Sequence, residues 1–252
     1  MSNAKIKEIF SSIQGEGPYV GYKQLFIRFC DCNLKCRYCD TEFSYNEEYT
    51  EYEPITLLSE VNKYRDIHSI SLTGGEPLLS ADFLKEFLPK INKEVYLETN
   101  ATLADKFIEI KPFVNIVSAD IKLESATGLK DTFELHDKFF EVCRGVETFA
   151  KIVFNENITD SEISRCCYLG KKYDIELILQ PEMIAGHCED EQSENVSISS
   201  NNNVITTSHF SNAHRNDMSV TSEFAAKILD KFLKEYKRVR LIPQVHKFLN
   251  VR

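Results

Sequence analysis

The chain has 252 residues, a formal charge of −9 and 42% hydrophobic residues. That length can bury one large core, and the acidity argues against a nucleic-acid binder, whose phosphate contacts are led by Lys and Arg clusters. No run of about 18 apolar residues offers a membrane span, and Met1 to Lys5 lacks the apolar core of a signal peptide. A cytoplasmic location is therefore expected, where eight cysteines mean metal or catalysis rather than disulfides.

In chain order, Ile6 to Ser12 reads as an extra strand beside a strand at Gln24–Phe29. A helix at Ile55–Arg65, a strand at Ser69–Thr73, a helix at Ala81–Asn92 and a strand at Val95–Thr99 follow. Next come a helix at Leu103–Ile110, a strand at Val114–Ser118, a helix at Thr132–Arg144 and a strand at Thr148–Phe154. A helix at Asp160–Lys172, opened by Asp160 and Glu162, leads to a strand at Glu176–Leu179, a helix at Ser222–Tyr236 and a strand at Val239–Ile242. Such alternation implies a parallel sheet with right-handed crossovers. The expected fold class is α/β: a partial (β/α) barrel with largely parallel strands, one domain over residues 1–252, with function at the strand C-terminal ends. From about Gly186 to Val220 the chain is polar and aperiodic, and reads as a surface insertion or a lid. His187, His209 and His214 show no ligand spacing there, and Cys30, Cys143, Cys166, Cys167 and Cys188 read as small buried apolar residues.

Two segments carry chemistry. Cys32, Cys36 and Cys39 stand on one short run, Cys32-Asn33-Leu34-Lys35-Cys36-Arg37-Tyr38-Cys39. Three soft thiolates suit three irons of a [4Fe–4S] cluster, leaving the fourth open to a small molecule. Zinc is the competing reading, but it wants four ligands, which Cys30 or a distant His would have to complete. The second segment is Thr73-Gly74-Gly75-Glu76-Pro77, where paired glycines let backbone approach a ligand closely or simply make a tight turn.

Together these motifs resemble the radical S-adenosylmethionine superfamily. The resemblance implies that S-adenosylmethionine chelates the open iron and is cleaved to a 5′-deoxyadenosyl radical. It places Tyr38 beside the cluster and Gly74, Gly75 and Glu76 at the methionyl amine. Glu98 and Asn100 would reach the ribose, and Ser118 and Lys122 the ribose or carboxylate. As strand-end residues, these four also read as caps or solvated charges.

Ile9-Phe10-Ser11-Ser12-Ile13-Gln14-Gly15-Glu16-Gly17, the pair Asp40-Thr41 and the tail Pro243-Gln244-Val245-His246-Lys247 narrow the likeness. The set is similar to the 7-carboxy-7-deazaguanine synthase (QueE) family of queuosine and deazapurine biosynthesis. Membership implies a 6-carboxy-5,6,7,8-tetrahydropterin substrate, ring contraction with loss of ammonia, a Mg²⁺ ion, an electron donor such as flavodoxin or ferredoxin, and a homodimer. Gln14, Gly15 and Glu16 would pair with the pterin edge, Arg28 with its carboxylate, and Thr41 with Mg²⁺. Thr73 and His246 would be further substrate contacts. Ala101 stands where the family-like pattern has Gly, so a different turn is expected there. A glycyl-radical activating enzyme is the alternative, sharing the cluster loop and an Asp-x-Lys strand end such as Asp120-Ile121-Lys122. It has no small-molecule edge for Gln14 and Glu16 to read.

Overall fold

The computed structural model describes residues 2–39, 48–183, 220–249 and 251. Asp40, Thr41, Cys188, His187, His209, His214 and nearly all of the polar stretch lie outside the described residues. Among those described, the strands are β1 (Ala4–Ile13), β2 (Lys23–Phe29), β3 (Thr50–Tyr52), β4 (Ser69–Gly74), β5 (Glu94–Thr99), β6 (Ile116–Asp120), β7 (Glu147–Phe154), β8 (Glu176–Pro181) and β9 (Val239–Leu241). They form one sheet in the order β3-β1-β2-β4-β5-β6-β7-β8-β9. Every pairing from β2 to β9 is parallel, whereas β1 runs antiparallel to both β2 and β3.

The helices are α1 (Pro54–Val61), α2 (Ala81–Phe87), α3 (Ala104–Ile110), α4 (Glu124–Thr127), α5 (Phe133–Cys143), α6 (Asp160–Tyr173), α7 (Ser222–Glu235) and α8 (Val245–Leu249). No helix among the described residues is long and apolar enough to cross a membrane. The expected strands and the six long helical segments are all present. β3, α4 and α8 are too short to leave a periodic signal. The helix expected from Asp160 is capped one residue earlier: Thr159 and Glu162 form a reciprocal capping box, and Asp160 lies inside the first turn. Cys143, Cys166 and Cys167 are buried as expected, while Cys30 is only partly so.

Period-two alternation along each strand separates two cores. One face packs against the helices through a Phe-rich layer that includes Phe83, Phe87, Phe107, Phe139, Phe140 and Phe232. Each such ring contributes about 1.5–3 kcal/mol by leaving water. The other face points into the barrel, where Tyr96, Ile116, Phe149 and Ile178 form a small apolar plug toward the strand N-terminal ends. Polar residues succeed them toward the C-terminal ends: Glu98 on β5, Asp120 on β6, Lys151 on β7 and Gln180 on β8.

Strand pairing leaves β3 and β9 as edges, so the gap must be bridged otherwise. The tail after β9 returns to the loop after β1, where Val245 N–H donates to Gly15 C=O at 2.8 Å. A Cβ on Gly15 would lie 2.6 Å from the His246 backbone nitrogen, so only glycine allows this approach.

A second fastening joins strand ends across the outer layer. Ala101, after β5, has φ 56°, in the left-handed region that costs a non-glycine residue about 1–2 kcal/mol. The turn is thus one that glycine would favour, built with alanine. His136 on α5 holds it: Nδ1 donates to Ala101 C=O at 3.2 Å, and Nε2 accepts the Lys122 N–H at 3.0 Å. Burial pushes the His136 pKa down to about 4. Because the folded pKa lies below the unfolded value near 6.5, the unfolded state takes up protons first, and stability falls as pH drops from about 6.5 to about 4. Comparing melting temperatures across that range, a His136→Gln variant should show a flatter pH dependence than the parent; parallel curves would contradict the assignment.

Candidate active site

One cleft runs down the barrel interior from the strand C-terminal ends. The loop after β2 supplies its upper wall with Cys32, Cys36, Tyr38 and Cys39, and the β1–β2 connection supplies Gln14, Gly15 and Glu16 below. Arg28, Thr73, Gly74, Gly75, Glu98, Asn100, Lys122 and His246 line the same space. Sequence reasoning thus placed most of its candidates in one cavity, and two side chains depart from it. Ser118 pairs in register with Phe149, at the level of the apolar plug, and is buried with Tyr96 as hydrogen-bond partner. The next inward residue, Asp120, pairs with Lys151 and is the one that reaches the cleft. Glu76 is wholly buried and turned away; its carboxylate accepts from Leu78 N–H (3.1 Å), Thr99 Oγ1 (2.9 Å) and Asn100 N–H (2.7 Å). Burial outweighs those bonds and pushes its pKa up to about 7.

Contacts with the β4 end dictate the position of the cysteine loop. Gly75 N–H donates to Phe29 C=O and Glu76 N–H to Asp31 C=O, at 2.8 and 2.9 Å. A Cβ on Gly75 would sit 2.0 Å from Asp31 O, and Gly74 has φ 98°. The paired glycines therefore admit the neighbouring backbone, and this docking brings the cysteines over the cleft. Asn33 and Asn100 complete the seam: Asn100 Nδ2 donates to Asn33 Oδ1 (2.8 Å), and Asn33 Nδ2 to Thr102 Oγ1 (3.0 Å).

Among the described residues the three cysteines form no disulfide. Burial raises the pKa of Cys32 and Cys36, with Lys122 acting in the opposite sense on both. Leu34 N–H and Asn100 Nδ2 lie 3.5 and 3.9 Å from Cys32 Sγ. Among the described residues no three His, Cys, Asp or Glu side chains converge on one metal position, so the thiols face the cleft without forming a closed set. Their type, the N–H donors and the nearby cation suit an iron–sulfur cluster, whose sulfurs take hydrogen bonds and whose charge needs compensation.

Below the loop, charges alternate. Tyr38 OH lies 3.2 Å from Lys122 Nζ; Lys122 pairs with Asp120 at 2.7 Å; Asp120 lies 3.4 Å from Lys151 Nζ; and Lys151 pairs closely with Glu16. Both lysine side chains are nearly buried, at 11% and 8% exposure. Burial opposes their charge, but the carboxylates outweigh it and raise both pKa values well above normal. Burial likewise opposes the charge on Glu16, yet Lys151 and Gln244 win and hold it at about 2. Glu16 is therefore ionised at neutral pH, and its stabilising contribution, full above the usual carboxylate range, is lost as pH falls toward 2.

Gln14 lines the cleft while its side-chain amide is engaged within the chain. Its Nε2 donates to Gln24 Oε1 (2.9 Å) and Glu98 Oε1 (3.1 Å), and its Oε1 accepts the Glu16 N–H (3.0 Å). Both amide N–H groups are thus taken up within the chain, and these bonds fix Glu16 and Glu98. Glu98 also accepts from Thr73 Oγ1 at 2.9 Å. Arg28 faces the cleft while paired with Glu8 at 2.9 Å and stacked over Phe10. Sequence reasoning missed Lys151, Gln180 and Gln244. Lys151 carried a signal, a lone cation in the apolar run of β7; Gln244 stood in the tail motif without a role assigned to it, and Gln180 had no comparable signal.

A model of the radical SAM superfamily matches residues 26–160. The chain is 38% identical over 208 residues to 7-carboxy-7-deazaguanine synthase from Geobacter sulfurreducens, covering 73% of this chain and 83% of the relative. It is 33% identical over 270 residues to the protein of that name from Archaeoglobus fulgidus, covering 99% of each. Among solved structures, QueE from Escherichia coli superposes with a TM-score of 0.54 at 19% identity, covering 71% of this chain and 84% of that one. A radical SAM methyltransferase from Sphaerobacter thermophilus gives 0.58 at 9% identity, covering 88% and 66%. These two structural likenesses speak to the fold. A [4Fe–4S] cluster and S-adenosylmethionine follow from the superfamily model, and the two sequence relatives go further: the chain belongs to the 7-carboxy-7-deazaguanine synthase family of radical SAM enzymes.

Proposed function

We propose that this chain converts 6-carboxy-5,6,7,8-tetrahydropterin to 7-carboxy-7-deazaguanine with loss of ammonia, in queuosine or another deazapurine route. The observation that carries the reading is one continuous cleft with the cysteine loop above and the ionised Glu16 below. When bound, the cluster and S-adenosylmethionine supply a 5′-deoxyadenosyl radical for hydrogen abstraction. Cys32, Cys36 and Cys39 hold the cluster. Gly74 and Gly75 offer backbone groups to the methionyl end, while Glu76, through its bonds to residues 99 and 100, positions that wall. Tyr38, Asn100 and Lys122 contact the cofactor.

The substrate lies over Gly15 and Glu16, with Thr73 and His246 beside it and Glu98 steered by Gln14. Arg28 takes the substrate carboxylate by exchanging its Glu8 partner for a bidentate contact. Thr41 would supply an oxygen to Mg²⁺, an ion that takes few protein ligands and would offset the charge of the substrate carboxylate. Enclosure by the barrel holds the reacting atoms in line and keeps water from the radical. The working enzyme is a single-domain cytoplasmic homodimer fed electrons by a flavodoxin or ferredoxin.

Anaerobic reconstitution with iron and sulfide, followed by reductant, S-adenosylmethionine, Mg²⁺ and the carboxytetrahydropterin, should yield 7-carboxy-7-deazaguanine by mass spectrometry. Formation of 5′-deoxyadenosine without that product would remove the substrate assignment and leave the superfamily chemistry. In the same assay Thr41→Ala should lower turnover about tenfold or more and weaken its dependence on Mg²⁺. Unchanged Mg²⁺ titration would take Thr41 out of the metal site.

A further inference from the structure

Gln180 stands on β8 lining the cleft, is 3% exposed, and among the described residues its Oε1 has no hydrogen-bond partner. A buried acceptor left unpaired costs about 1–3 kcal/mol, and native structures keep few of them without a reason. The amide orientation has a chemical basis: Nε2 points toward Glu16 Oε1, 3.4 Å away, and the opposite flip would set two oxygens against each other. The oxygen is therefore the atom left over. Glu16 beside it is ionised and fixed by Lys151 and by Gln244, whose Nε2 lies 2.6 Å from Oε1. Carboxylate and amide oxygen thus stand as neighbouring acceptors beside the lower cleft, the amide oxygen shielded from solvent, and a group with two N–H donors would satisfy both.

Resting on the pterin reading above, we propose that Gln180 determines specificity: its Oε1 accepts one N–H of the exocyclic 2-amino group of the substrate while Glu16 accepts the other. An analogue with oxygen at that position would set a third acceptor against these two and be rejected, because buried groups built for a donor are left unpaired without it. The free protein carries the orphaned oxygen as a small instability that substrate relieves.

The test uses two air-stable probes, 6-carboxypterin and its 2-oxo counterpart 6-carboxylumazine, titrated calorimetrically into the reconstituted holoprotein. The parent should prefer the pterin by tenfold or more. Gln180→Met, which keeps length and removes the acceptor, should cut that preference about tenfold, equivalent to about 1.4 kcal/mol. Its affinity for S-adenosylmethionine should stay within twofold of the parent's. Gln180→Leu serves the same purpose should the Met variant fold poorly. A preference that stays within twofold of the parent's, a loss that falls equally on both probes, or a loss confined to S-adenosylmethionine overturns the proposal. A parent that turns over the carboxytetrahydropterin but does not discriminate the probes also overturns it, and leaves the substrate reading intact. A parent that binds neither probe and makes no product overturns the substrate reading itself.

Discussion

Two lysines inside the barrel set the condition that the rest of the site must meet. An ammonium taken out of water costs several kcal/mol unless paired, and removing one partner of a buried pair costs about 3–5 kcal/mol. Lys151 meets that cost with Glu16 from the β1–β2 connection and Asp120 from β6, and Lys122 shares Asp120 while reaching Tyr38 on the cysteine loop. Four elements distant in sequence are thereby held in one register. Shifting any of them would strand a charge in a low-dielectric interior. The row links the lower cleft to the cysteine loop, so the distance between those two places is fixed by electrostatics as well as by the sheet.

The same economy governs the cysteine loop and the barrel gap. Small residues occur where two backbones meet: Gly74 and Gly75 against Phe29 to Asp31, and Gly15 against His246. Around these contacts, side chains that could contact a ligand are often engaged in holding others. Gln14 aims Glu16 and Glu98, Glu76 braces the β5 end, and His136 fixes both the Ala101 turn and Lys122. Gln180 breaks this pattern with a buried oxygen that has no partner among the described residues, which is why the specificity proposal rests on it.

Much of this was legible in the sequence. Regular βα alternation and short apolar runs located every strand but β3 to within about two residues, because burial on both faces of a parallel sheet leaves a near-continuous apolar signal. The cysteine run, the Gly-Gly turn and the Gln14–Glu16 segment pointed to one cavity. What stayed hidden depends on stagger and on partners far along the chain. Ser118 and Asp120 both face inward from β6, and only the pairing of Ser118 with Phe149 and Asp120 with Lys151 tells which reaches the cleft. Which glutamine is held by its neighbours is likewise invisible until its partners are known: Gln14 Nε2 bonds Gln24, whereas Gln180 Oε1 has no partner among the described residues. At Ala101 the residue type argued for a different turn, and the left-handed backbone there is one that local sequence would not select.

The claim that paired charge organises the barrel is tested most directly by a double-mutant cycle between Glu16→Gln and Lys151→Met, read as unfolding free energy in denaturant. Each single change leaves a buried charge short of a partner, so each should destabilise by about 3–5 kcal/mol. The double variant should be less destabilised than the sum by at least about 1 kcal/mol. Additivity within about 0.5 kcal/mol would contradict the account, showing that the two side chains are neighbours without being partners.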